Sequence, residues 1–231
     1  MSEPHVENER RFIRTTVLFS LLLIGTLLVT APVLAEAVAV ELRRLDGGWQ
    51  LLRDGEPYFI RGAGGDASLS ELAAAGANSI RTWGADGLED RLDEAHRLGL
   101  TVSVGIWLGH ERHGFDYGDA AQVKAQFERA RATVLRYKDH PAVLLWGVGN
   151  EMEGFEDGDD PAVWRAVNDI GAMIRELDPH HPTMTVTAEI GGARIRNVHE
   201  NCPDIDIHGI NSYGGAPSLV DRLREAGATK P

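Results

Sequence analysis

The sequence predicts an α/β protein built on a parallel sheet, and three observations predict it. From residue 58 onward, short apolar runs bounded by Gly, Pro, Asn and Asp alternate without interruption with amphipathic stretches of helical period. Six such β-then-α units in succession call for parallel strands with the helices packed outside the sheet. Polar residues recur at the C-terminal ends of those strands, where a parallel α/β fold gathers its chemistry.

The first 39 residues stand apart. Arg10, Arg11 and Arg14 precede an apolar run over residues 17–29, and small residues follow at Val33, Ala35, Ala37 and Ala39. This is the layout of a secretory signal cleaved after Ala35 or Ala37. The alternative is an uncleaved anchor over residues 15–35, because the run approaches the ~20 residues that span a bilayer, although Pro32 and Glu36 interrupt its far end. Either reading exports the rest of the chain to the periplasm or beyond, with the membrane touched only through this segment. Residues 40–57 carry turn signals at Gly47-Gly48 and Asp54-Gly55 around 50–53, a short hairpin that leads into the main domain at 58–231 and covers one end of it.

Within that domain residues 58–62 read as the first strand. A helix over 68–75 follows, opened by a Ser68/Glu71 capping box and closed at Gly76. A strand at 78–83 leads to a helix over 88–98 whose Leu88, Leu92 and Ala95 form one stripe ended by Gly99. The third strand, 101–108, precedes a long helix over 120–138 with Val123, Phe127, Ala130 and Val134 on one face, stopped by His140-Pro141. The fourth strand is 143–149. Pro161 behind Asp160 starts a helix carrying Val163, Val167, Ile170, Ile174 and Leu177 as far as Asp178-Pro179. Strand 183–187, a helical turn within 192–200, strand 205–211 and a helix over 218–226 ended by Gly227 complete the series.

Two architectures fit this series, an open doubly wound sheet and a barrel of eight such units. Gly62-Ala63-Gly64-Gly65-Asp66-Ala67 matches G-x-G-x-x-A, with Asp86 at a suitable distance, which keeps a nucleotide-dependent oxidoreductase in view. Arg61 argues against it, since the residue before the first glycine should lie on a buried, apolar strand. The glycines then read as a tight, ligand-lining turn.

Composition narrows the partners. Of 231 residues 43% are hydrophobic and 25% charged, enough for one globular core. A net charge of -12 excludes nucleic acid and anionic membrane surfaces, which need clustered Lys and Arg, and leaves a neutral ligand as the easier fit. The single cysteine, Cys202, forbids an internal disulfide and reads as an inert loop or core residue. No metal or other cofactor is implied: His110-Glu111-Arg112-His113 has H-E-x-H spacing, which does not put two histidines on one helix face. Glu153, Glu156, Asp157, Asp159 and Asp160 read as a solvated loop before a helix N-terminus, with a calcium loop as the alternative. His180-His181 read as structural, at the opposite rim.

The chemistry-bearing residues are those at the C-terminal strand ends: Arg81 on the second strand, His110 after the third, Asn150 and Glu151 on the fourth, Glu189 after the fifth, Asn211 and Tyr213 on the sixth. In a barrel they would converge on one rim. Glu151, delivered by a rigid strand, is a candidate proton donor. Trp83 and Trp107 belong to the same rim, and an indole face stacks well on the apolar face of a sugar ring; the competing reading packs them in the core.

Arg81, Asn150-Glu151, Gly209-Ile210-Asn211-Ser212-Tyr213-Gly214, Ile60-Arg61-Gly62 and Asp139-His140-Pro141-Ala142-Val143 together resemble the TIM-barrel catalytic domain of glycoside hydrolase family 2, among the retaining glycosidases of clan A. The resemblance runs from about Gly55 to Pro231 and implies a (β/α)8 barrel of which about six units are present. It implies that Glu151 is the general acid/base, that Asn150 binds the sugar 2-hydroxyl, that Arg81 and Tyr213 position the nucleophilic carboxylate, and that Asn211 shapes the sugar pocket. Retention needs two carboxyl groups roughly 5 to 5.5 Å apart, and their repulsion with partial burial should raise the donor's pKa. The family's nucleophile ends strand seven, so the chain reads as a fragment that would not turn over a glycoside alone, and Glu189 is a poor substitute. The expected substrate is a β-linked oligo- or polysaccharide. A transglycosylase and a non-catalytic carbohydrate-binding barrel are the alternatives.

Overall fold

The computed structural model describes Met1, residues 36–153 and residues 160–231. The signal or anchor segment, and Glu156, Asp157 and Asp159 of the acid run, lie outside the described residues. Among the described residues no helix is long and apolar enough to cross a membrane.

Three strands precede the main sheet: β1 (Val40–Leu45), β2 (Gly48–Arg53) and β3 (Glu56–Pro57). They form an antiparallel sheet in chain order, so the expected hairpin acquires a third strand. This sheet and Tyr58 just after it bond to the segments that enter the strands further on. Val40 N donates to His180 O at 2.8 Å, Arg53 Nη2 to Pro141 O at 3.0 Å and Tyr58 Oη to Asn78 O at 2.7 Å.

The main sheet has six strands: β4 (Gly62–Gly64), β5 (Ser79–Arg81), β6 (Thr101–Ile106), β7 (Val143–Val148), β8 (Thr183–Ala188) and β9 (Ile207–Asn211). All are parallel and lie side by side in chain order. A doubly wound sheet reverses its strand order at a switch point, whereas a barrel wall does not. The sheet is an incomplete TIM barrel, with β4 and β9 at its margins. Between the strands run α1 (Leu69–Ala74), α2 (Leu88–Arg97), α3 (Ala120–Tyr137), α4 (Pro161–Leu177) and α5 (Arg194–Asn201), and α6 (Leu219–Glu225) follows β9.

The helices start where their capping chemistry places them. Ser68 accepts from Glu71 N, Asp119 from Ala121 N and Asp160 from Ala162 N, each satisfying a backbone donor that the first turn leaves free. The core fills the layer between helices and sheet, where Leu92, Val102, Val134, Val143, Val167 and Ile174 are fully buried. Being central, β6 and β7 are buried at every residue. Cys202 belongs to this layer; burial pushes its thiol up to about 12, which leaves it protonated and unreactive.

The first barrel strand is displaced from its expected place. Residues 58–61 form no strand, because the Asn78 side chain clamps them: Arg61 N donates to its Oδ1 at 2.8 Å and its Nδ2 donates to Phe59 O at 2.9 Å. The strand is made by the glycines instead. A Cβ on Gly62 would stand 2.1 Å from Ser79 O, and one on Gly64 2.8 Å from the Trp83 ring. The glycines therefore permit close strand approach while still lining the barrel interior, and as a strand they form no phosphate-binding turn, which removes the dinucleotide reading.

Two buried polar groups at the N-terminal side yield stability predictions. Asp178 Oδ2 accepts from Trp146 Nε1 at 2.7 Å and pairs with His181 Nδ1 at 2.8 Å, while Oδ1 accepts from His180 N. Asp178→Ala strands two buried donors and should cost roughly 3 kcal/mol in urea unfolding. His208 lies against His199 and shares a hydrogen bond with Thr187 Oγ1; burial, with His199 and Lys230 adding, pushes its imidazole down to about 4. The fold holds this ring neutral, so the unfolded chain binds more protons below its ordinary pKa of about 6.5. Stability should fall as pH drops from there to about 4, and His208→Gln should flatten that part of the profile.

Candidate active site

The end of β7 holds Glu151 by backbone contacts on both sides. Gly149, at φ 71°, donates its N–H to Ile106 O of β6, and Glu151 N donates to Val186 O of β8 at 2.7 Å. Glu151 itself takes φ 53°. A left-handed conformation at a non-glycine residue costs on the order of 1 kcal/mol and persists only where surroundings enforce it. Here the turn out of the strand aims the carboxyl at the rim.

Five of the expected site residues form one hydrogen-bonded network. Arg81 Nη2 donates to Asn150 Oδ1 at 2.8 Å, and Nη1 to Asn211 Oδ1 at 3.2 Å. Asn211 Nδ2 donates to Asn150 Oδ1 at 3.1 Å and to Glu151 Oε1 at 2.7 Å. Tyr213 Oη donates to the same Glu151 oxygen at 2.5 Å. Side chains from β5, from the end of β7 and from the end of β9 thus meet at one rim. One detail differs from expectation: Arg81 grips two carboxamides and Tyr213 grips Glu151 itself, so neither holds a second carboxylate.

The ionisation of Glu151 also differs. Burial pushes its pKa up, but the hydrogen bonds from Tyr213 and Asn211, with Arg112 and His110 nearby, outweigh burial and hold it below the usual carboxylate range. The expected elevation needs a neighbouring like charge. The hydrogen bond to Glu151 raises the Tyr213 phenol in turn, and burial lowers Arg81, with Glu151 opposing.

Trp83 joins the network through its ring, with the Arg81 guanidinium 5.8 Å from the centroid. Together with Arg81 and Asn211 it lines the barrel interior, a cavity of about 520 Å³ floored by Leu145, Met184 and Val186. Trp107 and His110 are not part of this network. Trp107 is half exposed and lines a different cavity, and the buried His110 ring packs between Trp107 and His113 at 5.1 and 5.6 Å, neither ring nitrogen hydrogen-bonded. Burial lowers the His110 pKa, Arg112 and His113 adding to it. The segment Glu111–His113 is a short 3₁₀ turn.

Two further acids flank the rim. Glu189, also left-handed at φ 58°, accepts from Tyr213 N at 2.5 Å and from Arg222 Nη1 at 3.4 Å. Glu153 departs from the solvated loop expected of it. Its side chain is sealed from solvent, accepting from Ala188 N at 2.5 Å with Arg194 Nε at 3.3 Å. Nothing in an acid-rich stretch marks one acid as the anchor of its loop to β8, and sequence reasoning passed over both Glu153 and Arg194.

A parallel barrel wall that gathers Asn-Glu from the fourth strand, arginine from the second, and asparagine with tyrosine from the sixth is the architecture of the barrel glycosidases. The chain belongs to one family of them: the family model described as glycosyl hydrolases family 2, TIM barrel domain, matches residues 92–227. The β-glucuronidase of Sus scrofa is 29% identical over 205 residues, covering 80% of this chain and 28% of the relative. The chain therefore spans little more than a quarter of that curated relative's length. Among solved structures, a Ruminococcus gnavus β-glucuronidase in complex with D-glucuronic acid aligns with a TM-score of 0.62 at 15% identity, over 84% of this chain and 36% of the other. A β-1,4-D-mannanase from Cryptopygus antarcticus aligns with a TM-score of 0.58 at 12% identity, over 76% and 71%. These likenesses are of fold.

Tyr213→Phe removes the shortest hydrogen bond to Glu151, so the Glu151 pKa should rise. Carboxyl ¹³C titration of the wild type and the variant checks this, and an unmoved Glu151 would show that the phenol does not tune it.

Proposed function

We propose that this chain is the acid/base-bearing part of a retaining glycosidase acting on β-linked saccharides. The observation that carries the reading is the position of Glu151: at the end of the fourth barrel strand, partly open to the rim, with its neighbours all hydrogen-bond donors. Its protonated carboxyl gives a proton to the departing glycosidic oxygen as a second carboxylate attacks the anomeric carbon, and the resulting carboxylate then takes a proton from the water that cleaves the glycosyl ester. Asn150, through its amide, binds the sugar 2-hydroxyl. Asn211 and Arg81 hold that amide in place, and Trp83 offers a face to the ring.

Retention needs a nucleophile that these six strands do not offer. Glu153 is inaccessible and Glu189 is tied to Tyr213 N and Arg222. A carboxylate arriving beside Glu151 supplies the like charge that raises the donor's pKa, and it draws the Tyr213 and Arg81 donors to itself. The same tied acids favour a second reading, a barrel that binds saccharide without cleaving it.

The proteins this chain resembles in sequence include enzymes named for β-glucuronides and β-mannans, so the test is a panel of aryl β-glucuronides, β-mannosides and β-glucosides against the full-length protein. Turnover of at least one is expected, with Glu151→Gln reducing it by about 10²- to 10⁴-fold. An unchanged rate in that variant removes Glu151 from its role, and saccharide binding without turnover favours the second reading. Product analysis separates hydrolysis from transfer to a second sugar.

We also propose that residues 1–39 direct export. N-terminal sequencing of the protein from the producing cell should begin at Glu36 or Val38 if the segment is cleaved, or recover the intact segment in the membrane fraction if it is an anchor.

A further inference from the structure

Trp107 raises a question that the Glu151 network does not answer. It is 51% exposed, an unusual state for an indole, and it does not line the barrel interior that Arg81, Trp83 and Asn211 share. It borders a cavity of about 440 Å³ between the loop after β5, the exit of β6 and the side of α3 that carries Gln126, Arg129, Ala130 and Thr133. Asp86, Gln126, Arg129 and Thr133 line the same space. None of these belongs to the network of Arg81, Asn150, Glu151, Asn211 and Tyr213.

The lining chemistry is selective. A volume of this size falls within the range of small-ligand sites. The indole provides a flat apolar platform. Around it stand a carboxylate and a guanidinium, planar groups whose paired atoms match two adjacent hydroxyls. Gln126 forms part of the wall and not a ligand contact, since its Oε1 accepts from Gly109 N at 2.7 Å and its Nε2 is buried. Asp86 and Arg129 form no ion pair among the described residues, so their donors and acceptors are open to a ligand, and their opposite charges leave the cavity without a net preference for an ion. A flat apolar face edged by hydroxyls and bearing no charge describes a neutral pyranose.

We propose that the Trp107 cavity is a second saccharide-binding site, separate from the mouth that holds Glu151, which stacks a neutral sugar of a glycan chain on the indole and hydrogen-bonds its hydroxyls through Asp86 and Arg129. The ligand class rests on the glycosidase reading; the location does not. Such a site holds the polymer on the protein while another stretch of it occupies the mouth.

Calorimetric titration with mannohexaose, cellohexaose and laminarihexaose tests this, in the full-length protein carrying Glu151→Gln so that no probe is consumed. At least one hexasaccharide should bind, and adding Trp107→Ala or, separately, Arg129→Ala should weaken a binding event by about ten-fold. Arg129 is exposed on α3, so its variant keeps the fold if Trp107→Ala does not. No binding by any of the three probes, or binding unmoved by Arg129→Ala and by a folded Trp107→Ala, overturns the proposal. Failure of the glycosidase reading would instead appear as lost aryl-glycoside turnover in the unmutated protein, with this binding intact.

Discussion

The site depends on the carboxamide of Asn211. Its oxygen receives Arg81 from the second barrel strand, and its nitrogen reaches both Asn150 and Glu151 at the end of the fourth. Three elements widely separated in the chain are thereby locked in register by one planar group with both a donor and an acceptor end. A carboxylate at that position could not donate to Glu151, and a lysine could not accept from Arg81. The backbone cooperates, since Glu151 N is already pinned to Val186 O and little freedom remains for the acid to be misplaced.

The same network favours the anion of Glu151, the opposite of what the proposed acid catalysis requires. Every polar neighbour that touches its carboxyl is a donor, so the anion is favoured in spite of burial. Proton donation is therefore not a property of Glu151 with these six strands alone. On the proposed reading it would emerge when a second negative charge competes for the phenol and the guanidinium, which would make the acid and the nucleophile one titrating unit.

Much of the fold was legible because barrel units are local. The Leu88, Leu92 and Ala95 stripe, the Asp160-Pro161 start of α4 and the apolar run of β7 each carry their element within a few residues. The first strand was misplaced because its limits depend on Asn78, a residue on the next strand, and on how closely Ser79 approaches Gly62. At the site, Arg81, Asn150, Glu151, Asn211 and Tyr213 were identifiable from their common place at strand ends. Their pairings were not, because hydrogen-bond partners follow from side-chain direction in three dimensions. Trp107 shows the same limit: rim position is readable, but which cavity a ring borders and which ring it packs against, here His110, are not.

The margins of the sheet carry a consequence for how the polypeptide behaves in solution. An unfinished barrel wall exposes unpaired amide ladders, the template from which fibrils grow. Here one margin is only three residues long and composed of two glycines and an alanine, too brief and too lacking in side-chain grip to recruit a foreign strand. At the other, His208 N is already engaged by Pro231 O at 2.9 Å. Both margins of the described sheet are thus poor templates for pairing with a foreign strand.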